Sequence, residues 1–158
     1  MRRVVLFLIV LLLAGSTGIP GAEAASFAEN LQAFRTRNVE STASVRLLAE
    51  GLHVEQQIAR TQGRLRVIPP SLNREYQGSL RDLSLLVRRV VRDQRTADRL
   101  LSDILVLQKQ HHENAAVLLL KRSAVGQSRF MQTLARGKIL LQRCTDLRKQ
   151  ILAIPLRP

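Results

Sequence analysis

The scarcity of helix breakers is the feature that most constrains how this chain can fold. No proline occurs between Pro20 and Pro69, and none occurs between Pro70 and Pro155. The residues in between are rich in Leu, Ala, Arg and Gln, which favour helices, and they show neither strand-like alternation nor an Asn-Gly or Asp-Gly hairpin signal. The sequence therefore predicts an all-α protein of long helices, with a first turn at Pro69-Pro70.

Apolar residues recur at helical spacing along each predicted helix. In the second helix the intervals alternate between four and three, as in a coiled-coil seam, with Gln94, Gln108 and His111 as polar residues in the same register. The predicted core is Phe27, Leu31, Phe34, Val45, Leu48 and Leu52 in the first helix, Tyr76, Leu80, Leu83, Val87, Val90, Ala97, Leu101, Ile104, Ala115 and Leu118 in the second, and Phe130, Leu134, Leu141, Cys144, Leu147 and Ile151 in the third. Short connections make sequential helices antiparallel. We therefore expect an elongated antiparallel three-helix bundle or coiled coil.

Caps and breakers define the expected helix ends. Ser26 and Glu29 fit a capping box at the start of the first helix, and the helices are predicted at about 27–66, 72–122 and 127–153. The second turn is placed at Ser123–Gly126, because Gly126 is the strongest breaker in that region. A turn at His111–Asn114 is the alternative, and it would give three helices of nearly equal length.

Residues 1–24 have the features of a secretory signal peptide. Arg2 and Arg3 precede an apolar run from Val4 to Ala14, and the small-x-small tripeptide Ala22-Glu23-Ala24 follows. The run is shorter than the roughly 20 apolar residues that span a bilayer. We expect cleavage after Ala24 or Ala25, which would leave a helical bundle domain at 25–158 in the periplasm or outside the cell. The alternative is a membrane anchor formed by the uncleaved leader.

Basic residues number 25 against 12 acidic ones, which gives a net charge of +13. On a helical wheel of the second helix, six arginines share a strip about 60° wide, away from the apolar positions. They are Arg74, Arg81, Arg88, Arg92, Arg95 and Arg99. A smaller row in the first helix consists of Arg35, Arg46, Arg60 and Arg64, and the third helix places Arg122, Arg129, Arg136 and Arg143 at intervals of seven.

These arginine rows have two interpretations. They are either the ordinary polar outer face of a bundle in an arginine-rich chain, or a surface that meets opposite charge. Like charges at i,i+3 and i,i+4 are mutually unfavourable. Such rows are therefore easier to understand against an anionic partner or against the acidic flank of a neighbouring helix.

Candidate catalytic and metal-binding groups are few. His111, His112 and Glu113 are adjacent, whereas a helical metal pair needs i,i+4 spacing. Cys144 is the single cysteine, and it is either a small buried core residue or the site of an intermolecular disulfide. The sequence contains no phosphate-binding loop and no catalytic serine motif. We therefore expect no enzymatic activity, no metal and no cofactor.

These patterns favour partners other than nucleic acid, because the basic strips lack interleaved aromatic residues for base stacking and the leader directs the chain to export. We expect an exported, non-enzymatic helical protein that acts by protein–protein contact in cell-envelope or secretion-apparatus assembly. The arginine row of the second helix would face an acidic protein partner, and self-association stays open. The alternatives are a binder of anionic membrane surfaces or envelope polyanions, and a periplasmic chaperone-like holdase.

Overall fold

A computed structural model describes residues 20–156, with side chains described from residue 27 onward. Three helices make up almost all of this range: α1 is Pro20–Leu65, α2 is Pro70–Lys109 and α3 is Glu113–Leu152. Between residues 20 and 156 there is no strand, and a single isolated bridge joins Arg66 to Leu156. The predicted all-α three-helix bundle is confirmed. The apolar run of the predicted leader, Val4–Ala14, lies outside the described residues.

The chain runs up, down and up, so α2 is antiparallel to both neighbours and α1 is parallel to α3. Asn38, early in α1, bonds to Asp98, late in α2. Glu75, early in α2, contacts Arg143, late in α3. The two helices of 40 residues are each about 60 Å long at 1.5 Å per residue. The bundle is therefore a rod.

The second turn occupies residues 110–112, so the preferred prediction of a turn at Ser123–Gly126 is wrong and the alternative at His111–Asn114 is confirmed. The three helices are indeed of similar length, with 46, 40 and 40 residues. Gly126 lies inside α3 at an exposed position, and a Cβ there would meet no atom within 4 Å. A glycine inside a long helix costs only about 1 kcal/mol, which packing along α3 can outweigh.

His111 closes this turn without a glycine. Its φ of 59° places it in the left-handed region. The amides of His111 and His112 donate to the carbonyl oxygens of Gln108 and Leu107, which is the Schellman pattern at a helix C-terminus. Glycine is the usual residue at the left-handed position, and the sequence has no glycine to mark this turn.

Two helix starts also differ from the prediction. The backbone of α1 is already helical at Pro20, so Ser26 lies within the helix and not at its N-cap. α2 begins at Pro70, with Pro69 as the N-cap residue. Proline is well suited to the first helical position because its missing N–H would have no partner there.

The predicted core is buried almost throughout, with Phe27, Ala97, Leu101 and Leu141 partly buried. The two exceptions are Ala115 and Leu118, which were assigned to the second helix and are exposed in α3. The chain reverses direction before these positions, and the new helix starts in a different register. Ala116 and Leu120 occupy the core there instead.

A buried polar layer separates two apolar clusters of the core. The larger cluster lies towards the first turn and includes Leu83 and Leu134. The smaller cluster lies towards the second turn and includes Leu31, Ile104 and Leu120. The layer between them consists of three buried polar residues, Asn38, Ser41 and Gln94.

Hydrogen bonds across this layer connect α1 to α2. Gln94 Nε2 donates to Asn38 Oδ1 and to Thr42 Oγ1, both at 2.8 Å. Ser41 Oγ donates to Gln94 Oε1 at 2.8 Å. No buried side-chain nitrogen or oxygen in the described part of the chain lacks a partner. A satisfied polar layer in an apolar seam fixes the register of the helices that share it.

Two glycines allow α1 and α3 to approach closely. A Cβ at Gly137 would lie 2.6 Å from Leu48 Cδ2, and a Cβ at Gly51 would lie 2.6 Å from Leu141 Cδ2. A leucine side chain from the opposite helix therefore packs directly against each glycine. These residues serve packing and do not interrupt the helices.

Candidate anion-binding face

The six arginines predicted in the second helix form one exposed surface along α2. Arg74, Arg81, Arg88, Arg92, Arg95 and Arg99 are all exposed, and we call this surface the α2 arginine face. The buried residues of α2, such as Leu83 and Val90, lie on the opposite side of the helix. The sequence therefore predicted both the membership and the exposure of the face, because both follow from helical periodicity.

The α2 arginine face has no acidic counterpart within the described residues. None of the ion pairs found between residues 27 and 156 involves any of its six arginines. The nearby Asp98 points the other way, since its carboxylate accepts hydrogen bonds from Asn38 and Gln94 in the polar layer. The acidic flank of a neighbouring helix therefore does not neutralise this row.

A groove of about 480 Å³ lies beside the face, between the second half of α1 and the first half of α2. Three arginines line it, Arg60 from α1 and Arg81 and Arg88 from α2. Further lining residues with side-chain donors are Gln56, Gln77 and Ser84. The lining contains no acidic residue, and guanidinium groups with amide and hydroxyl donors are suited to carboxylate or phosphate oxygens.

Arg60 is the residue of this groove that sequence reasoning did not connect with the row on α2. The wheel of the first helix placed it in a separate, smaller row. Arg60 and Arg81 line one groove because of the antiparallel register of α1 and α2, which a helical wheel of one helix does not contain.

The four arginines of the row predicted in the third helix are exposed on α3, and one of these four is paired. Arg143 Nη2 lies 2.9 Å from Glu75 Oε1 of α2, with both side chains about half exposed. Arg122, Arg129 and Arg136 are exposed and make no ion pair within the described range.

A buried charge cluster that the sequence did not reveal joins all three helices around Glu55. Its carboxylate accepts hydrogen bonds from Tyr76 Oη at 2.8 Å and from Thr145 Oγ1 at 3.0 Å. Arg148 Nη1 lies 3.2 Å from the same carboxylate. Burial, together with the hydrogen bond to Glu55, raises the pKa of the Tyr76 hydroxyl well above its ordinary value. The available signal was position: Glu55 continues the spacing of Leu48 and Leu52, where the apolar pattern weakens.

Cys144 lies in the core with no exposed surface. Burial, with a smaller contribution from the Glu55 carboxylate, raises the pKa of the Cys144 thiol to about 11. The thiol is therefore protonated at neutral pH, and a disulfide to a second chain requires the helices to separate. His111 and His112 are exposed in the turn. No group of three His, Cys, Asp or Glu side chains that could hold a metal occurs among the described residues.

Between residues 20 and 156, no helix combines the length and the apolar content needed to cross a membrane. Comparisons with protein-family models, with curated proteins and with solved structures return no match.

Proposed function

We propose that this protein is an exported, non-enzymatic helical protein that acts by protein–protein contact in cell-envelope or secretion-apparatus assembly. The α2 arginine face would receive an acidic surface of the partner. The observation that supports this proposal is the row of six exposed arginines with no ion-pair partner in the described chain. Export is supported by the leader, with Arg2 and Arg3, the Val4–Ala14 run and the Ala22-Glu23-Ala24 tripeptide.

The spacing of the face suits an extended partner. From Arg74 to Arg99 the face is about 37 Å long at 1.5 Å per residue. Arg88, Arg92 and Arg95 repel one another as close neighbours on one helix. An acidic surface relieves that repulsion and is guided to the face by long-range attraction.

Contact with a protein is favoured over insertion into a membrane. An interfacial helix buries an apolar face among lipids, but the apolar seam of α2 is already buried in the bundle. On the arginine side of α2, between Arg74 and Arg99, the large exposed apolar residue is Leu85, at 59% exposure. One leucine among six arginines gives a polar docking surface and not a membrane-inserting one.

Photo-crosslinking from the centre of the face tests the partner. The exported full chain carries a photoreactive phenylalanine analogue at position 85 and is irradiated in cells. We expect one discrete adduct with an acidic protein, its loss in R88Q/R92Q/R95Q, and its retention in R37Q/K109Q/K121Q. The control removes the same number of charges at exposed positions away from the face.

Three results would contradict the proposed role of the face. The first is an adduct that survives in R88Q/R92Q/R95Q. The second is the absence of a protein adduct together with binding to anionic lipid vesicles that weakens steeply with salt. The third is unfolding of the triple variant in circular dichroism, which would make the row part of the internal packing.

The export half of the proposal has its own test. Mass spectrometry of the protein recovered from the periplasm or medium should show a mature chain starting at Ala25 or Ser26. Full-length chain confined to the cytoplasm would contradict export, whatever the crosslinking shows.

A further inference from the structure

A second exposed stripe follows α3 on the side away from its buried residues. Leu118, Val125 and Ile139 are aliphatic and strongly exposed, at 51%, 63% and 70%. Gln132 completes this column at intervals of seven, and each member is followed four residues later by an arginine. We call the whole set the α3 outer stripe: Leu118, Arg122, Val125, Arg129, Gln132, Arg136, Ile139 and Arg143.

The spacing of this stripe is that of a helix-packing seam. Its intervals alternate between four and three, which keeps one line of side chains facing a neighbouring helix over several turns. The buried side of α3 has the same alternation in Ala116, Leu120 and Ser123, and again in Phe130, Leu134 and Gly137. α3 therefore has two seams: the inner one is filled by α1 and α2, and the outer one is exposed from Leu118 to Ile139 in the described structure.

The positive charge of the stripe favours an acidic binding partner. The acidic residues of α3 are Glu113 and Asp146, and none occurs from 114 to 145. Arg143, at the end of the stripe, pairs with Glu75 of the adjacent α2 at 2.9 Å. This contact shows how a carboxylate on a neighbouring helix pairs with one arginine of the column. Arg122, Arg129 and Arg136 have no such pair among the described residues.

A second copy and a lipid surface fit this stripe less well. Two copies of the stripe would bring arginine columns together, with no acidic residue between 114 and 145 to offset their repulsion. Helices that lie in a membrane interface often use Trp or Phe on the buried face. The aromatic residues from 27 to 156 are Phe27, Phe34, Tyr76 and Phe130, and all are buried or half-buried within the bundle.

We propose that the α3 outer stripe is a docking seam for one amphipathic helix of an acidic partner protein. The partner helix would place aliphatic side chains against Leu118, Val125 and Ile139, and Asp or Glu against the arginine column. Successive arginines are about 10.5 Å apart along the axis, so carboxylates repeated every seven residues match them. This helix-on-helix recognition is independent of the α2 arginine face and of the proposed function.

A designed peptide is the probe for this seam. It is a fluorescent helical peptide of four heptads, with Leu at one seam position and Glu at the other, and its reference is a scrambled peptide of the same composition. Titration with the full chain should give binding at least about tenfold tighter for the seam peptide, because only that peptide aligns both columns.

Two variants and a control assign the binding to the stripe. R122Q/R129Q/R136Q removes the charge, and V125S/I139S removes aliphatic surface without changing the charge. We expect each to weaken seam-peptide binding by about tenfold, which corresponds to 1.4 kcal/mol. The control R37Q/R64Q/K109Q, which changes exposed cations outside the stripe, should change the affinity by less than about threefold.

Several results would overturn the proposal. Equal binding of seam and scrambled peptides, or equal weakening in the arginine variant and the control, would show attraction by net charge alone. A wild-type dimer that V125S/I139S dissociates in sedimentation would assign the stripe to a second copy. A third result is binding of the wild type to phosphatidylglycerol vesicles. If R122Q/R129Q/R136Q abolishes that binding and the seam peptide does not compete with it, the stripe is a membrane-binding surface.

Discussion

Replacing Arg148 with methionine tests how the three helices are held together near the first turn. The side chain of Glu55 is 3% exposed and that of Arg148 is 23% exposed. In the wild type the carboxylate has one cationic contact and two hydroxyl donors, Tyr76 and Thr145. The Arg148→Met variant keeps an apolar side chain of similar length but leaves the buried carboxylate with the two neutral donors.

The expected loss of stability follows from this geometry. Removing one partner of a buried ion pair costs about 3–5 kcal/mol. We expect about 3 kcal/mol, at the low end, because Arg148 is partly exposed and the two hydroxyl donors remain. For a chain of this size the fall in Tm is about 6–12 °C.

Removing both charges should restore most of that loss. In the Glu55→Met, Arg148→Met double variant no buried charge remains, and apolar replacement of a whole buried pair is often neutral. The Tyr76 hydroxyl keeps a partner in the backbone carbonyl of residue 55, at 3.1 Å. We expect the double variant to lie within about 1 kcal/mol of the wild type.

Urea unfolding of the full chain at pH 7, followed by far-UV circular dichroism, measures both variants. A free energy of unfolding for Arg148→Met within about 0.5 kcal/mol of the wild type, the range of ordinary surface changes, would refute a stabilising role for the buried pair. A double variant that is no more stable than the single one would show that an uncompensated carboxylate is not the cause.

Four further predictions concern the helix positions and the buried thiol. Gly126→Ala should raise the free energy of unfolding by up to about 1 kcal/mol, because the site is exposed inside α3 with no atom near; a fall in Tm would argue for a turn there. His111→Gly should stabilise the turn by about 1 kcal/mol by relieving a left-handed backbone, and no change in urea unfolding would contradict the positive φ of this residue. Gly137→Ala should lower the free energy of unfolding by about 1 kcal/mol through overpacking, because the alanine Cβ would lie 2.6 Å from the side chain of the buried Leu48. An increase in Tm like that expected for Gly126→Ala would show that this contact is not tight. Burial raises the pKa of the folded Cys144 thiol from 9.0 to about 11. The thiol of the unfolded chain therefore loses its proton first, and the free energy of unfolding should fall as pH rises across that interval. In urea titrations Cys144→Ala should show a smaller fall, and a pH profile identical to that of the wild type would refute the raised pKa of the buried thiol.

The sequence by itself determined the features that repeat along one helix. Leu31, Leu83 and Leu134 were identified as core residues and the α2 arginines as an outer row, because the 3.6-residue period converts spacing into direction. The absence of proline between Pro70 and Pro155 likewise predicted long helices. Such conclusions need no knowledge of where another helix lies.

The tertiary structure alone decided which distant residues meet. In the sequence, Glu55 is a polar residue in a region where the apolar pattern of the first helix weakens. In the folded protein, α2 and α3 place Tyr76, Thr145 and Arg148 around its carboxylate. The groove that joins Arg60 to Arg81 depends in the same way on the register between α1 and α2. Helix register is decided by packing and polar contacts summed over many residues that are far apart in the chain.

The position of the second turn also depended on tertiary structure and not on local sequence preference. Helix propensity favours a break at Gly126, yet α3 continues through this residue. The chain turns at His111 instead, which has a left-handed backbone conformation. A local preference of about 1 kcal/mol is smaller than the gain from aligning two 40-residue helices over their whole apolar seams. The position of the turn was therefore decided by the fit between helices, a quantity that does not exist until the chain has folded.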